Sequence, residues 1–597
     1  MLTTRQDLHS SEAPAPAIGP ATVTVASPGA AVGFEQTARR RVGDRLADGL
    51  ESRTVHWLLT MTMVISMTMA MALTAAKDTP TFDEPVHFAA AVELNHHDLN
   101  WNPDHPVLAR ALAGIGLRFT SLPSVDRSAH HWVGSCCTQD RNRGLDLLYR
   151  DGKNRAQHRL LMARLASILL AITAVFTVAW LAGKSFGRRA SLAALGLATT
   201  SPILIAHGHL LTTDISVTAF TLLAMAAALK IKTARRSWVW VGACGILAGL
   251  AMAAKYTGLV TTPALVVLAA WALAHREERM AGRSGADSRL RRWVRPLVSA
   301  GMGIGFAAVA TVWLVYFAID PHLRFDRSPD GIVPHGPMAR LAELLPFPKP
   351  FRLGVQTQVL LDQGGRIGYL FGHRYSGGTP LFYPAMLALK TPIIGLALLA
   401  LGLSQRRRWP QEAKWLSVVA GLQLVFSIFS ATNIGVRHIL LVVAFTAVIG
   451  GGAVTFLSRS RAAFATVVIL VSGLFVTWTT YPSFIPYANA AFGGTSQAYK
   501  RAADSNVDWG QDLWRLADYV DANLAGQQVW LGYLGWAPTE LYLPKAKRAD
   551  INATGLHGVL ALSTSVRSVA VPTAFDGLIK GKKPFKIIGG SILLYKI

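Results

Sequence analysis

The sequence predicts a polytopic α-helical membrane protein of about eleven spans, followed by a small α/β domain outside the membrane. Three observations predict it. The 597 residues are 51% hydrophobic and only 16% charged, too apolar for a soluble chain of several domains. Apolar runs long enough to cross a bilayer recur between Val55 and Thr480 and stop there. The formal net charge of +25 gathers in alternate turns between those runs. In a soluble protein that charge would suggest nucleic acid; distributed this way it reports topology, and nucleic acid is not expected as a partner.

Residues 1–50, rich in Ala, Pro, Ser and Thr, have too little apolar content to pack and read as a disordered cytoplasmic tail. The run Val55 to Ala76 starts too far into the chain and is too long for a secretory signal, so it is a retained anchor. An outer loop over 77–158 follows. It holds Asp83 and Glu84 between Pro80 and Pro85, then Asp104 and His105 between Pro103 and Pro106. His105 to Phe119 carries apolar residues at helical spacing but is too short and charged to span, which predicts an interfacial helix. Further spans are expected at about 159–182, 189–206, 210–230, 238–253, 256–274, 296–318, 382–403, 413–430, 437–457 and 463–480, with a second outer loop over 319–381.

Charge fixes the parity of these spans. Lys184 with Arg188 and Arg189, Lys230 to Arg236, the basic run after His275, Arg406 to Arg408, and Arg459 with Arg461 all fall in alternate turns, which belong inside. The expected arrangement is a multi-pass protein of the cell (inner) membrane, with a cytoplasmic N-terminus and an exterior, periplasmic C-terminal segment. In that segment, 481–597, Trp514 to Leu524 has helical periodicity, while Gln528 to Leu534, Gly558 to Ser563 and Ser591 to Tyr595 read as strands. The three cysteines make no disulfide framework, and Asn552-Ala-Thr is a chance-level sequon.

The polar residues of the outward turns are unusual in kind. His207, His209 and Asp214 share one turn, where Asp214 fits either a helix N-cap or a site. Lys255 lies between two spans on the side that the charge bias disfavours, so it either snorkels or faces an anion. Arg437 and His438 begin another span, and Arg374 and Lys390 add cations nearby. Cations gathered with acids on one face suit a phosphate or pyrophosphate beside a carboxylate that takes a proton from a hydroxyl. DSNVDWGQD, from Asp504 to Asp512, reads either as a capped turn or as part of that site. No Gly-rich nucleotide loop, zinc signature or nucleophile elbow is present in the sequence.

DEPVHF at Asp83 to Phe88, NPDHPVLAR at Asn102 to Arg110, HGHLLTTD at His207 to Asp214, AKYTG at Ala254 to Gly258, NIGVRH at Asn433 to His438 and DSNVDWGQDL at Asp504 to Leu513 occur in this order. Together they make the chain resemble the GT-C membrane glycosyltransferases that use lipid-phosphate-linked sugars. That class includes the protein O-mannosyltransferases and the lipid A aminoarabinose transferase, and the closer likeness is to the bacterial phospholipid-carrier-dependent members. The resemblance implies Asp83 as general base, Glu84 orienting acceptor or sugar, and Asp104 with His105 as the second acidic patch of the family. It also implies an inverting displacement at the anomeric carbon of a polyprenyl-phosphate sugar, with the phosphate as leaving group; an acceptor protein, glycan or lipid is compatible with this architecture. Sidedness and charge, rather than the resemblance, point to Lys255, Arg437 and Arg374 as the groups that hold the phosphate. Some members of the class use a divalent metal and others none, and no ligand cluster in the sequence chooses between them.

The His207 to Asp214 turn lacks the basic residue expected near its acid, and TPLFYPAMLALKTP lacks a Trp-rich run common in close relatives. Two other readings compete. A transporter or flippase for a lipid-linked anion would also need charges within the membrane, but no internal repeat or midplane break is visible. A non-catalytic scaffold would leave Asp83 and Glu84 dispensable.

Overall fold

The computed structural model describes residues 44–124, 137–280, 289–325, 336–550, 555–571, 573 and 575–597. The tail expected over 1–50 lies outside the described residues up to 43, as do Cys136 and the sequon. Residues 44–51 are helical (α1) and are tied down: Asp48 and Glu51 accept from Arg459 at 2.7 and 2.8 Å.

Among the described residues eight helices are long and apolar enough to cross a membrane. Seven are α2 (Arg53–Ala75), α6 (Lys153–Phe186), α9 (Asp214–Ile231), α10 (Ser237–Ala254), α11 (Thr257–Met280), α12 (Arg289–Ile319) and α19 (Arg459–Thr480). The eighth runs from Val436 to Phe456 and contains α18 (Leu440–Ala453). Where a further span was expected the chain forms a bent pair, α7 (Arg188–Thr199) and α8 (Pro202–Gly208), whose axes differ by 61°, the geometry of a broken span or a re-entrant loop. The other two expected spans take different forms. The run 382–403 divides into α15 (Phe382–Lys390) and α16 (Ile393–Ser404), because Pro392 lacks an N–H and holds Thr391 extended. α17 (Gln411–Ile428) is a single helix whose Glu412, Lys414 and Gln423 dilute its apolar surface.

Small residues let these helices approach closely. A Cβ on Gly245 or Gly249 of α10 would lie 2.6 Å from Ala307 or Thr311 of α12, so this GxxxG pair sets the separation of the two helices. At 34 residues, α6 measures about 50 Å, longer than a hydrocarbon core, so its first turns stand clear of the membrane.

Those turns support an outer layer formed by α3 (Glu84–Leu94), α4 (Leu108–Leu117) and α5 (Thr138–Tyr149). The expected interfacial helix is α4, and α5 is an addition within the polar loop. Gly144 of α5 crosses so close to α3 that a Cβ there would collide with the Pro85 carbonyl. Phe88, Leu117, Leu148 and Leu160 of this layer share one apolar cluster with Leu513, Leu531, Ala561 and Leu594 of the C-terminal segment. The acidic loop is therefore held between the bundle and the C-terminal segment.

Before that segment come α13 (Pro337–Glu343), α14 (Lys349–Gln363) and a hairpin of β1 (Ile367–Leu370) with β2 (His373–Ser376), in which Tyr369 faces Arg374. The C-terminal segment contains α20 (Leu513–Asn523), β3 (Val529–Gly532), α21 (Thr539–Tyr542), β4 (Lys547–Arg548), β5 (Val559–Ser563), α22 (Asp576–Ile579), β6 (Lys586–Ile588) and β7 (Ile592–Lys596). Its sheet order is β4-β3-β5-β7-β6, with β3 parallel to β4 and β5, and β7 antiparallel to β5 and β6. Leu560 faces Tyr595 at the centre.

Candidate active site

The adjacent acids at the start of α3 separate at once into different surroundings. Both Glu84 and Arg164 of α6 are 0% exposed. Arg164 donates Nε to Glu84 Oε1 at 2.8 Å and Nη2 to Oε2 at 2.6 Å, while the Thr81 and Leu211 amides each add a bond of 2.8 Å. Burial pushes the Glu84 carboxyl up, but Arg164 and these amides outweigh it and hold the group below the usual carboxylate range. Arg164 Nη1 also caps α2, donating to Ala75 O at 2.8 Å and Asp78 O at 3.0 Å. Both oxygens of Glu84, the residue expected to orient acceptor or sugar, are spent on closing the loop.

The same loop is stitched to the DSNVDWGQD stretch. Thr79 N donates to Gln511 O at 3.0 Å and Phe82 N to Trp509 O at 2.9 Å, and Thr79 Oγ1 donates to Gly510 O at 2.8 Å. Below it, Arg515 pairs with Asp78 and Asp512 at 2.6 Å each, and His209 Nε2 lies 3.1 Å from Asp78 Oδ2. Burial raises Asp78, but Arg515 and His209 bring it below its ordinary value; burial prevails at Asp512, which is raised. Asp508 accepts from the Ser565 amide at 2.9 Å, and burial pushes its carboxyl up to about 7.

Asp83 occupies the N-cap position of α3, yet its side chain makes no cap bond and is 32% exposed. Arg437 Nη1 donates to Asp83 Oδ2 at 2.9 Å and lies 3.8 Å from Asp214 Oδ2. Lys255 donates to Asp214 Oδ1. Asp214 is no N-cap either: Thr213 holds that position, and Asp214 sits in the first turn of α9, where the helix dipole favours an anion. The Arg437 guanidinium lies 4.1 Å from the centre of the Trp509 ring, and His207 meets that ring edge-on at 6.2 Å. Asp214, Lys255, Arg437 and His438 line one crevice between α9, α11 and α17, walled by the hydroxyls of Thr218, Thr221 and Thr261.

Five sequence-predicted residues therefore converge: Asp83, Asp214, Lys255, Arg437 and His438. Asp104 and His105 form the next shell outward. The His105 ring lies 5.1 Å from His87, and burial pushes His87 down to about 4 against the pull of Asp83, so both face the cluster as neutral rings. Cys137 donates to Asp104 at 3.0 Å, and the buried Arg110 gathers the carbonyls of Asn102, His105 and Pro106. Arg374 does not join the site: it is exposed on β2 and donates to Val569 O at 3.1 Å. Lys390 is a tether, buried and bonded to the carbonyls of Ile485 and Asn506.

Two contributors escaped sequence reasoning, Arg164 inside a span and Arg515 within an amphipathic helix; Trp509 lies in the DSNVDWGQD stretch, but its place beneath Arg437 has no signal in the sequence. Among the described residues no group of three or more His, Cys, Asp or Glu is placed to hold a metal ion.

The fold and site define a class, that of multi-pass helical membrane proteins with an ionic centre at one end of the bundle, covered by a C-terminal sheet. Residues 156–315, from α6 into α12 and a little over a quarter of the chain, match the family model described as dolichyl-phosphate-mannose-protein mannosyltransferase. The likeness read from the motifs is met over that segment. Among curated proteins no sequence matches. Among solved structures, ArnT from Cupriavidus metallidurans in the apo state aligns with a TM-score of 0.47 at 12% identity, covering 91% of this chain and 98% of that one. The same protein bound to undecaprenyl phosphate aligns at 0.45, with 12% identity and the same coverage. The oligosaccharyltransferase AglB from Archaeoglobus fulgidus, in complex with an inhibitory peptide and a dolichol-phosphate, aligns at 0.37 and 11% identity, covering 86% of this chain and 72% of that one.

Proposed function

We propose that the protein transfers a sugar from a polyprenyl-phosphate donor to an acceptor hydroxyl, with Asp83 as general base. The observation that carries this reading is the state of Asp83: a carboxylate free of capping duty, a third exposed, and bonded to a cation that lines the adjoining crevice. The family match over 156–315 supports a lipid-phosphate-linked sugar as donor.

In the proposed step the acceptor O–H gives its proton to Asp83 as the oxygen bonds to the anomeric carbon. The bond from that carbon to the phosphate oxygen breaks, and the lipid phosphate leaves with the electron pair. A single displacement inverts the anomeric centre. The negative charge that develops on the leaving phosphate is met by Lys255 and Arg437. In the resting protein Asp214 and Asp83 hold these two cations in place, so their orientation is established before the donor arrives. The threonine hydroxyls along the crevice give the headgroup polar contacts where it enters from the bilayer.

The reaction takes place on the exterior face of the inner membrane in this proposal, with residues 481–597 outside and the N-terminus in the cytoplasm, an orientation that the basic turns support. The acceptor is a hydroxyl of a protein, an envelope glycan or a lipid. The test is transfer of label from radiolabelled polyprenyl-phosphate sugars to envelope extract by purified protein. Covalent transfer by the wild type and none by Asp83→Asn is the expected result. Label that crosses vesicle membranes in both proteins without covalent transfer would replace the enzyme by a transporter.

A further inference from the structure

The bundle has a second polar concavity at its opposite end. α9 and α10 each have 18 residues, about 27 Å of helix, and both run between the acid cluster and the turn that joins them. That turn and the last turns of α11 enclose an open cavity of about 480 Å³. Arg235, Arg236 and Trp238 line it from the turn, and Arg276 and Glu277 from α11. Arg276 fixes the wall by donating to Ala234 O at 2.5 Å and Arg235 O at 3.1 Å.

Some of the other basic groups at this end have acids of their own. Arg189 and Arg459 share Glu51, and Lys232 pairs with Glu412. Among the described residues, no carboxylate lies within ion-pair distance of Arg235 or Arg236, and both are exposed at the cavity. Three guanidiniums against the single carboxylate of Glu277 leave the cavity positive. On its lip Trp238 is 59% and Val239 61% exposed, in the first turn of α10, where a spanning helix meets the headgroup region.

We propose that this cavity binds the phosphodiester headgroup of an anionic membrane phospholipid. Arg235 and Arg236 present N–H groups to the phosphate oxygens, a geometry that guanidinium forks favour, while Trp238 and Val239 pack on the upper acyl chain. The apolar lip favours a lipid over a free anion, because Trp238 and Val239 offer an acyl chain a surface directly beside the guanidiniums. The site is separate from the proposed catalytic one and does not depend on that reading.

The experiment is native mass spectrometry of the purified full chain titrated with dioleoylphosphatidylglycerol, dioleoylphosphatidylcholine or inorganic phosphate. The wild type retains phosphatidylglycerol in preference to phosphatidylcholine. Arg235→Gln/Arg236→Gln weakens that retention about tenfold, whereas Arg406→Gln/Arg407→Gln, at the same end but away from this cavity, changes it by less than about twofold. Trp238→Ala, which keeps both charges, weakens phosphatidylglycerol retention as well, and a melting curve for each variant confirms folding. Equal loss in both arginine pairs would reduce the effect to general surface charge. Retention unaffected by Arg235→Gln/Arg236→Gln, or phosphatidylcholine held as well as phosphatidylglycerol, overturns the proposal. Displacement of the lipid by inorganic phosphate at equal concentration, with no effect of Trp238→Ala, overturns it in favour of a simple anion site.

Discussion

Asp83 and Glu84 are neighbours in sequence, and each meets an arginine, but the two pairs have opposite characters. Arg164 and Glu84 are completely excluded from solvent and every oxygen of the carboxylate is occupied. Arg437 and Asp83 meet through one bond, with the carboxylate partly open. The difference arises from helix geometry. Adjacent residues at a helix start point about 100° apart, so one acid faces Arg164 of α6 and the other Arg437. A charge locked on all sides holds a backbone in place, and one held on a single side remains able to react.

The sharpest way to break this comparison is to remove each charge in turn. Asp83→Asn should lower sugar transfer by about 10²–10⁴-fold while the thermal midpoint in detergent stays close to that of the wild type. Glu84→Gln should do the reverse in kind: it leaves Arg164 buried without a counter-charge and costs about 3–5 kcal/mol of stability, read as a lowered midpoint. If Glu84→Gln melts normally and loses only turnover, the scaffold role assigned to Glu84 is wrong.

Lys255→Ala sharpens the contrast on the cation side. It removes one of the two groups proposed to meet the leaving phosphate, and should reduce turnover about 10²-fold. It also leaves Asp214 with only Arg437 at 3.8 Å. Restoration of the charge by Lys255→Arg should recover part of the activity, and an equal defect in both variants would argue for shape rather than charge.

The covering segment carries a prediction in pH. Burial pushes Asp508 up to about 7, whereas in an unfolded chain its carboxyl titrates near about 4. Between those values the folded protein keeps a proton that the unfolded chain has released. The contribution is therefore complete below about pH 4 and is lost as the pH rises toward 7. Asp508→Asn should abolish this decline, which amounts to about 4 kcal/mol over about three pH units, in melting curves recorded from pH 4 to 8. A slope unchanged by the substitution would assign the titration to another group.

How much of this was legible follows the range of each interaction. Spans such as α6 and α10 declare themselves by length and apolarity, and their basic turns gave the parity that collects Asp83, Asp214, Lys255 and Arg437 at one end. The strands β3, β5 and β7 showed as apolar runs, whereas the edge strands β4 and β6 carry Lys547, Arg548 and Lys586 and have no such pattern. The hairpin of β1 and β2 turns through Phe371 and Gly372, both at positive φ, without the Asn-Gly or Asp-Gly signal that would announce it. Partners were harder still. Asp83 finds Arg437 across 354 residues and Glu84 finds Arg164 across 80, so no local spacing could separate the catalytic candidate from the scaffold acid. Arg374 eluded sequence reasoning for the same reason: on a hairpin a cation can face away from the crevice, and Arg374 is exposed and bonded to Val569 O.

The smallest expected effect tests how Arg437 is held. Its guanidinium lies over the Trp509 ring, and Trp509 is fixed by the backbone bond from Phe82 to its carbonyl. The ring therefore presses the cation toward the two acids while the same strand of chain anchors the loop that bears Asp83. Trp509→Leu keeps the backbone bond and most of the apolar volume but removes the π-face. The loss of a cation–π contact of about 0.5–1 kcal/mol should lower turnover about two- to fivefold and leave the pH-dependence of stability unchanged. Trp509→Phe, which keeps a ring, should fall between the two. A Leu variant as impaired as Asp83→Asn would mean that Trp509 touches the substrate itself, and the division between the locked acid and the open one would then extend to the segment that covers them.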